Sequence, residues 1–138
     1  MTEALIEPFA QAHLDGLIAL VAAEGWTDYT DDVQRTYRAL TAPGVTTLVA
    51  IADGRVAGAI QVQSDGLIQA HVSMLLIDPT WRRARLGARL LRESLERGGG
   101  LQLDIRTRTE GYYERLGASR SLGFRLTRED LGLRTDAT

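Results

Sequence analysis

The stretch from Val72 to Arg92 constrains the fold of this chain more than any other. It opens with an apolar run, Val72 to Ile77, which predicts a buried strand. Asp78-Pro79 ends that strand, because proline has no N–H to donate to a sheet ladder. A helix is predicted to begin near Arg85, since apolar and small residues recur at core-facing spacing from Gly87 to Leu95.

The turn between this strand and this helix is suited to bind a phosphate or a pyrophosphate. The first N–H groups of a helix have no carbonyl partner, and the helix dipole adds partial positive charge there. Arg82, Arg83 and Arg85 contribute full positive charge. The same residues also fit a basic helix start whose arginines are only solvated.

The composition indicates a single globular domain, predicted to span residues 1–138, because 44% of the residues are hydrophobic and 25% are charged. The net charge of −2 gives no basic field for nucleic acid. The chain has no cysteine, which excludes disulfides and thiol nucleophiles, and two distant histidines predict no metal site. We expect a cytoplasmic protein without a signal peptide or a membrane span, because no apolar run approaches the ~20 residues that a span needs.

The order of predicted elements describes a mixed α/β fold. The first half is expected to contain a strand, two helices and a three-strand antiparallel meander, at residues 4–9, 13–24, 31–40, 46–52, 55–63 and 67–77. Asp53-Gly54 predicts a type I′ hairpin in the meander. The glycines at 98–100 leave no room for a hairpin, so Leu101 to Ile105 is predicted to be a parallel strand after the helix. The chain then closes with a short helix and two strands, at 109–116, 122–126 and 131–134.

The turn and the order of elements resemble the GCN5-related N-acetyltransferases, the GNAT family. Arg82-Arg83-Ala84-Arg85-Leu86-Gly87-Ala88 is similar to the acetyl-CoA pyrophosphate loop of that family, Gln/Arg-x-x-Gly-x-Gly/Ala. The match departs at Arg85, where the family usually has glycine. That glycine lets the backbone approach the pyrophosphate closely. An arginine with an ordinary helical φ could still offer its N–H.

The resemblance implies the GNAT fold class, which is α/β (α+β): a mixed, mostly antiparallel central sheet flanked by helices, with a splay between the fourth and fifth strands. It implies an acetyl-CoA-dependent N-acetyltransferase that moves the acetyl group directly from the thioester to a primary amine of a small molecule or a peptide. The residues that would bind acetyl-CoA are Leu75, Leu76, Ile77, Arg82, Arg83, Ala84, Arg85, Leu86, Gly87 and Ala88. The oxyanion-stabilising N–H would lie near Leu76.

The segment Tyr112-Tyr113-Glu114-Arg115-Leu116-Gly117 resembles the Tyr-Glu-x-Leu-Gly pattern of the same family. The resemblance makes Tyr113 the acid that protonates the departing thiolate, and an ordinary tyrosine pKa near 10 suits that role. Tyr113 could instead be a half-buried packing residue. The family often has an asparagine seven residues earlier; Arg106 stands there, so that role is not transferred.

The acceptor site and the general base are less well specified. Glu24, Trp26 and Tyr29 lie in a loop that would border the acceptor, and aromatic rings beside acids suit a cationic amine. They could equally form a lid on the core. Strand alternation predicts that His71 shares a face with Ser73 and Leu75, and histidine has a suitable pKa for a base. A strand-end histidine near solvent, or a base that acts through water, also fits.

Two other functions agree with the same residues. A non-catalytic acyl-CoA-binding or sensor module is favoured by Arg85 and Arg106. A nucleotide-phosphate-binding domain would bind ATP or NAD as well as CoA. A homodimer is a further prediction, because a closing pair of strands leaves an edge that pairing would protect.

Overall fold

The computed structural model describes residues 3–82 and 85–135. The chain forms two compact units, one up to Ile105 and one from Arg106 onward. None of the helices in these described ranges is long and apolar enough to cross a membrane.

The first unit contains a five-stranded sheet and four α-helices within its described residues. The strands are β1 (Leu5–Pro8), β2 (Val45–Ala52), β3 (Arg55–Ser64), β4 (Gln69–Ile77) and β5 (Gln102–Ile105). The helices are α1 (Leu14–Ala23), α2 (Thr27–Thr30), α3 (Val33–Leu40) and α4 (Leu86–Gly98). Short 3₁₀ turns at Gln11–His13 and Pro79–Trp81 precede α1 and α4.

The strands follow one another across the sheet in the order β1-β2-β3-β4-β5. All neighbouring pairs are antiparallel except β4 and β5, which are parallel. The predicted fold class is therefore confirmed, including the parallel strand after the crossover helix. Asp53 and Gly54 have φ values of 52° and 73°, so the type I′ hairpin between β2 and β3 is also confirmed.

β5 pairs along its whole length with the first four residues of β4, from Gln69 with Gln102 to Val72 with Ile105. β5 ends there, whereas β4 continues along β3 to Ile77. The second half of β4, Ser73 to Ile77, thus lies beyond the last pair with β5. The absence of a β5 partner along Ser73 to Ile77 agrees with the predicted splay between the fourth and fifth strands.

Helices cover both faces of the sheet, and each face has its own core. On one face, Leu86 and Leu90 of α4 pack against inward residues of the strands such as Ile60. On the other face, Leu17 of α1 and Leu40 of α3 pack against residues that include Val49 and Met74. Two-sided burial explains why the central residues of β2, β3 and β4 are mostly apolar on both faces.

The connection from α4 to β5 requires glycine at position 99. Gly99 has a φ of +80°, and a Cβ atom there would lie 2.6 Å from the carbonyl oxygen of Gly66. We expect Gly99→Ala to lower the free energy of unfolding by about 2 kcal/mol or more, because left-handed backbone costs roughly 1–2 kcal/mol and a packed clash adds roughly 1–3 kcal/mol. Gly54→Ala is the control, since Gly54 has a φ of +73° with no atom within 4 Å. Urea unfolding that gave equal losses for both variants would contradict the clash.

The second unit contains one short helix, α5 (Tyr112–Arg115), within its described residues. The helix begins after Gly111, whose N–H donates to the Glu114 carboxylate at 2.7 Å, so it is shorter than predicted. The closing strands predicted at 122–126 and 131–134 are wrong, because residues 106–135 include no strand. Leu122 and Phe124 alternate as in a strand but are 90% and 86% exposed. A strand needs a neighbour to take its backbone hydrogen bonds, and alternation alone does not supply one. The homodimer stays a prediction, but the closing pair of strands no longer supports it.

Candidate active site

The predicted cofactor turn joins β4 to α4. Asp78 opens it by accepting hydrogen bonds from the backbone N–H of Thr80 at 2.9 Å and from the Thr80 hydroxyl at 2.7 Å. These bonds, with the nearby charges of Arg55 and Arg82, hold the pKa of the Asp78 carboxyl below its usual value. Arg83 and Ala84, two of the predicted cofactor-binding residues, lie outside the described residues.

The start of α4 presents main-chain donors to the turn. The N–H of Arg89 donates to the carbonyl of Arg85 at 3.2 Å, which is the first hydrogen bond of the helix among the described residues. Leu86, Gly87 and Ala88 precede that bond, and such N–H groups have no acceptor inside a helix. The Leu86 side chain is buried in the core, so it fixes the position of this helix start against the sheet. The arrangement suits an anion with two or three accessible oxygens.

Arg85 caps α4 in the left-handed conformation, with φ +57° and ψ +22°. Arg85 therefore does not have the ordinary helical φ under which its N–H was considered as a donor. The turn enters the helix through a positive φ, which glycine adopts without steric penalty. Arg85 therefore takes the backbone conformation that favours glycine, at a cost of roughly 1–2 kcal/mol.

Arg85→Gly should raise the free energy of unfolding by about 1 kcal/mol, because it removes the left-handed strain. Arg85→Ala is the matched control: it removes the same charge and keeps a Cβ atom at positive φ, so it should give no such gain. Urea unfolding measures both. Equal stability of the two variants would show that the left-handed backbone carries no strain.

CoA affinity of Arg85→Gly should stay within about tenfold of wild type, about 1.4 kcal/mol, with a weaker salt dependence.

β4 contains a β-bulge at Ser73, immediately after the last pair with β5. Gln61 of β3 pairs with Met74 and Val62 pairs with Val72, so the register skips Ser73. Two side chains hold the bulge: the Tyr29 hydroxyl donates to the Ser73 carbonyl at 3.4 Å, and the Gln63 amide donates to Ser73 Oγ at 2.6 Å. A bulge bends its strand and changes the direction of the side chains that follow, and it is common beside active sites.

The bulge overturns one prediction about β4. Strand alternation placed His71, Ser73 and Leu75 on one face. Leu75 instead packs into the α4 core together with Val72, the neighbour of His71. Met74 packs into the core of the opposite face. The prediction is wrong because it assumed an unbroken period of two, whereas the extra residue shifts the period by one.

Three of the residues predicted to bind the acceptor lie within residues 24–30, and the fourth, His71, lies on β4. Trp26 precedes α2 and Tyr29 lies within it, with their ring centroids 6.2 Å apart. The Thr36 hydroxyl donates to the Tyr29 carbonyl at 2.6 Å. Glu24 forms an ion pair with Arg82 at 3.0 Å. His71 lies at the other end of β4 from the turn, in register with Asp104 of β5. There it lines an open depression of about 500 Å³.

Tyr113 lies on α5 in the second unit. Its ring meets the ring of Tyr112 edge-on, with the centroids 5.0 Å apart and the planes at 89°. Burial raises the pKa of Tyr113 to about 12, and Tyr112 contributes to the shift. The phenol is therefore fully protonated at neutral pH, which is the state that a proton donor needs.

The comparisons with known proteins identify the family. The family model described as "Acetyltransferase (GNAT) domain" matches residues 11–129. This chain belongs to the GNAT acetyltransferase family. The matched range includes the β4–α4 turn and the Tyr-Glu-x-Leu-Gly segment of α5, so the family predicted from these two motifs is confirmed. No curated protein matches the sequence of this GNAT protein at a significant level.

Solved structures share the fold of this GNAT protein. A putative acetyltransferase from Deinococcus radiodurans R1 is 27% identical, with a TM-score of 0.65, over 94% of this chain and 91% of that chain. A ribosomal-protein-alanine N-acetyltransferase from Brucella melitensis biovar Abortus 2308 is 16% identical, with a TM-score of 0.72, over 92% and 99%. AAC(6')-Iy, solved with the bisubstrate analog CoA-S-monomethyl-acetylneamine, is 16% identical, with a TM-score of 0.69, over 91% and 99%.

Proposed function

We propose that this GNAT protein is an acetyl-CoA-dependent N-acetyltransferase that moves an acetyl group directly to a primary amine of a small molecule or a peptide. The observation that carries the proposal is the junction of β4 and α4. There a 13-residue helix presents its first N–H groups beside Arg82 and Arg85, at the end of a strand that runs beyond its pair with β5. Family membership gives the reaction class, and the solved AAC(6')-Iy complex shows a CoA-linked ligand on this fold.

The residues of the junction fit acetyl-CoA in two ways. The N–H groups of Leu86, Gly87 and Ala88 would bind the diphosphate, together with the positive charges of Arg82 and Arg85. The motif adds Arg83 and Ala84 to this set. The main chain of Leu75, Leu76 and Ile77 would bind the pantetheine arm, because this part of β4 lies beyond the last pair with β5. When bound, acetyl-CoA supplies the activated carbonyl carbon. A main-chain N–H beside Leu76 that points away from β3 would stabilise its oxygen, because antiparallel alternation directs the Leu76 N–H itself towards Ala59 of β3.

The amine would enter beside the segment that contains Trp26 and Tyr29. Tyr29 contacts β4 at the bulge, and the two rings offer an apolar, π-rich surface to a cation. His71, or a water molecule, is the candidate base that takes the proton of the amine. No acyl-enzyme on a thiol is formed, because the chain has no cysteine.

For the leaving thiolate we propose Tyr113 as the proton donor. Its position in the Tyr-Glu-x-Leu-Gly pattern and its neutral state support this role. We also propose that residues 1–138 work as a single N-acetyltransferase domain, since the family model extends over both units.

The test is turnover of acetyl-CoA with a panel of amines: peptide N-termini, lysine, polyamines, aminoglycosides and small amino metabolites. Release of the CoA thiol can be followed with a thiol reagent, and the protein adds no thiol background because it has no cysteine. We expect release that depends on one class of amine. CoA binding without turnover on any amine would indicate an acyl-CoA-binding module. Equal affinity for ATP, NAD and CoA would indicate a nucleotide-phosphate-binding domain.

A further inference from the structure

An ion pair joins two parts of the first unit that the proposed function assigns to different substrates. Nη2 of Arg82, in the cofactor turn, lies 3.0 Å from Oε1 of Glu24, at the end of α1. The two residues are 58 positions apart in the sequence. Nε of Arg82 also donates to the carbonyl of Ile77 at 3.3 Å. The guanidinium is thus held between the end of β4 and the end of α1.

Glu24 is the first residue of the acceptor segment, which we define as residues 24–30. The segment has a second attachment to the cofactor strand, where the Tyr29 hydroxyl donates to the Ser73 carbonyl. Trp26 lies between these two attachments and is 37% exposed. The acceptor segment is therefore fastened to the turn by Glu24 and to the bulge of β4 by Tyr29.

The ion pair opposes the binding of an anion at the turn. Glu24 places a negative charge beside the Arg82 guanidinium, which is proposed to bind the diphosphate. Asp78 is a second carboxylate near Arg82. The Arg82 and Glu24 side chains are 55% and 32% exposed, so solvent screens the pair and it contributes little stability. A diphosphate forms stronger charge-assisted hydrogen bonds with a guanidinium than one carboxylate does, because it brings more charge and more acceptor oxygens. The diphosphate can therefore displace Glu24 from Arg82.

We propose that Glu24 is a positioning residue: its ion pair with Arg82 holds the acceptor segment against the turn, and the diphosphate of acetyl-CoA releases the segment by taking Arg82. The inference rests on the proposed function, because it needs CoA at the turn. It assigns Glu24 to the coupling of the two substrate sites, in place of a contact with the acceptor amine.

The first experiment measures CoA affinity by calorimetry at low salt. Glu24→Gln removes the charge, keeps the shape, and should tighten CoA binding about three- to tenfold. In an Arg82→Gln background the same change should alter affinity less than twofold, because the competition is gone. Asp28→Asn is the matched control, an exposed acid of the same segment, and should leave affinity within twofold.

A second measurement reports on the segment itself. The chain has two tryptophans, so Trp81→Phe leaves Trp26 as the only indole. Saturating CoA should increase acrylamide quenching of Trp26 in Trp81→Phe. Glu24→Gln in the same background should show the increased quenching before CoA is added. A residue with a merely structural role would not connect CoA binding to the environment of Trp26.

The outcomes separate the two claims. If wild type binds CoA while Glu24→Gln has unchanged affinity, or while CoA leaves Trp26 quenching unchanged, the coupling is wrong and the proposed function stands. If wild type binds no CoA, the proposed function fails and the coupling fails with it. Tighter binding in both Glu24→Gln and Asp28→Asn would indicate a general charge effect and would also overturn the coupling.

Discussion

Tyr113→Phe should lower kcat by about 10²–10⁴-fold, because it removes the proposed proton donor and keeps the ring. The KM for acetyl-CoA and the thermal stability should change little, since the packing of the ring against Tyr112 survives. Steady-state kinetics with the best amine of the panel measure both parameters. Loss of kcat at constant KM is the pattern of an interaction made only in the transition state.

Tyr112→Phe is the matched control for this prediction. Tyr112 neighbours Tyr113 on α5, and burial also raises its pKa, so the control removes a similar phenol one position away. Its kcat should stay within about threefold of wild type. If Tyr113→Phe kept kcat within the same range, solvent or another residue would supply the proton. A large loss of stability in Tyr113→Phe would show instead that the hydroxyl is a structural hydrogen-bond donor.

The pH dependence gives an independent check on Tyr113. An acid must be protonated to act, and its pKa is raised to about 12 by burial first and by Tyr112 second. Its contribution is therefore retained through neutral and moderately alkaline pH and is lost only as the pH rises through about 12. A decrease in kcat centred near pH 10 that disappeared in Tyr113→Phe would show that Tyr113 titrates as an exposed tyrosine does.

The parts of the fold that the sequence predicted correctly depend on local backbone chemistry. Asp78-Pro79 ends β4, and Asp53-Gly54 forms the hairpin turn between β2 and β3. The glycines at 98–100 end α4 and lead the chain into the parallel strand β5. In each case the required dihedral angle or the missing N–H is a property of the residue itself. Such signals need no knowledge of the rest of the molecule.

The parts that the sequence did not reveal depend on contacts between distant residues. The bulge at Ser73 arises from the register between β3 and β4, and the residues that hold it, Tyr29 and Gln63, come from α2 and β3. The Arg82–Glu24 ion pair spans 58 positions and has no local pattern. Leu122 to Leu126 shows the reverse case, where a local strand pattern has no strand partner among the described residues 106–135.

The conformation of Arg85 was missed for a different reason. Propensity assigns an arginine before a helix to the right-handed region, because its Cβ disfavours positive φ. The family pattern has glycine at this position, and that glycine was the available signal. Leu86 and Leu90 anchor α4 in the core, and this anchoring fixes where the turn must enter the helix. Packing of the helix thus overrides the preference of one residue at its start.

Gly87→Glu should weaken CoA binding by about 100-fold or more, about 2.8 kcal/mol. Gly87 is a buried residue of the first turn of α4, among the N–H groups proposed to bind the diphosphate. A glutamate there would place a carboxylate against these N–H groups and repel the incoming anion. Calorimetry with CoA measures the loss, and circular dichroism with a thermal scan shows whether the variant is folded.

Two further variants separate the site from general effects of charge and size. Gly87→Ala adds a methyl group without charge, so its loss of affinity should be much smaller. Arg92→Glu introduces an acid at an exposed position of the same helix, beyond its first turn, and should change affinity by less than about threefold at physiological salt. If Gly87→Glu does not fold, Ala88→Glu carries the same test at a half-buried neighbour. Unchanged CoA affinity in a folded variant would place the diphosphate elsewhere, and equal losses in Arg92→Glu and Gly87→Glu would show that net charge, and not the start of α4, determines binding.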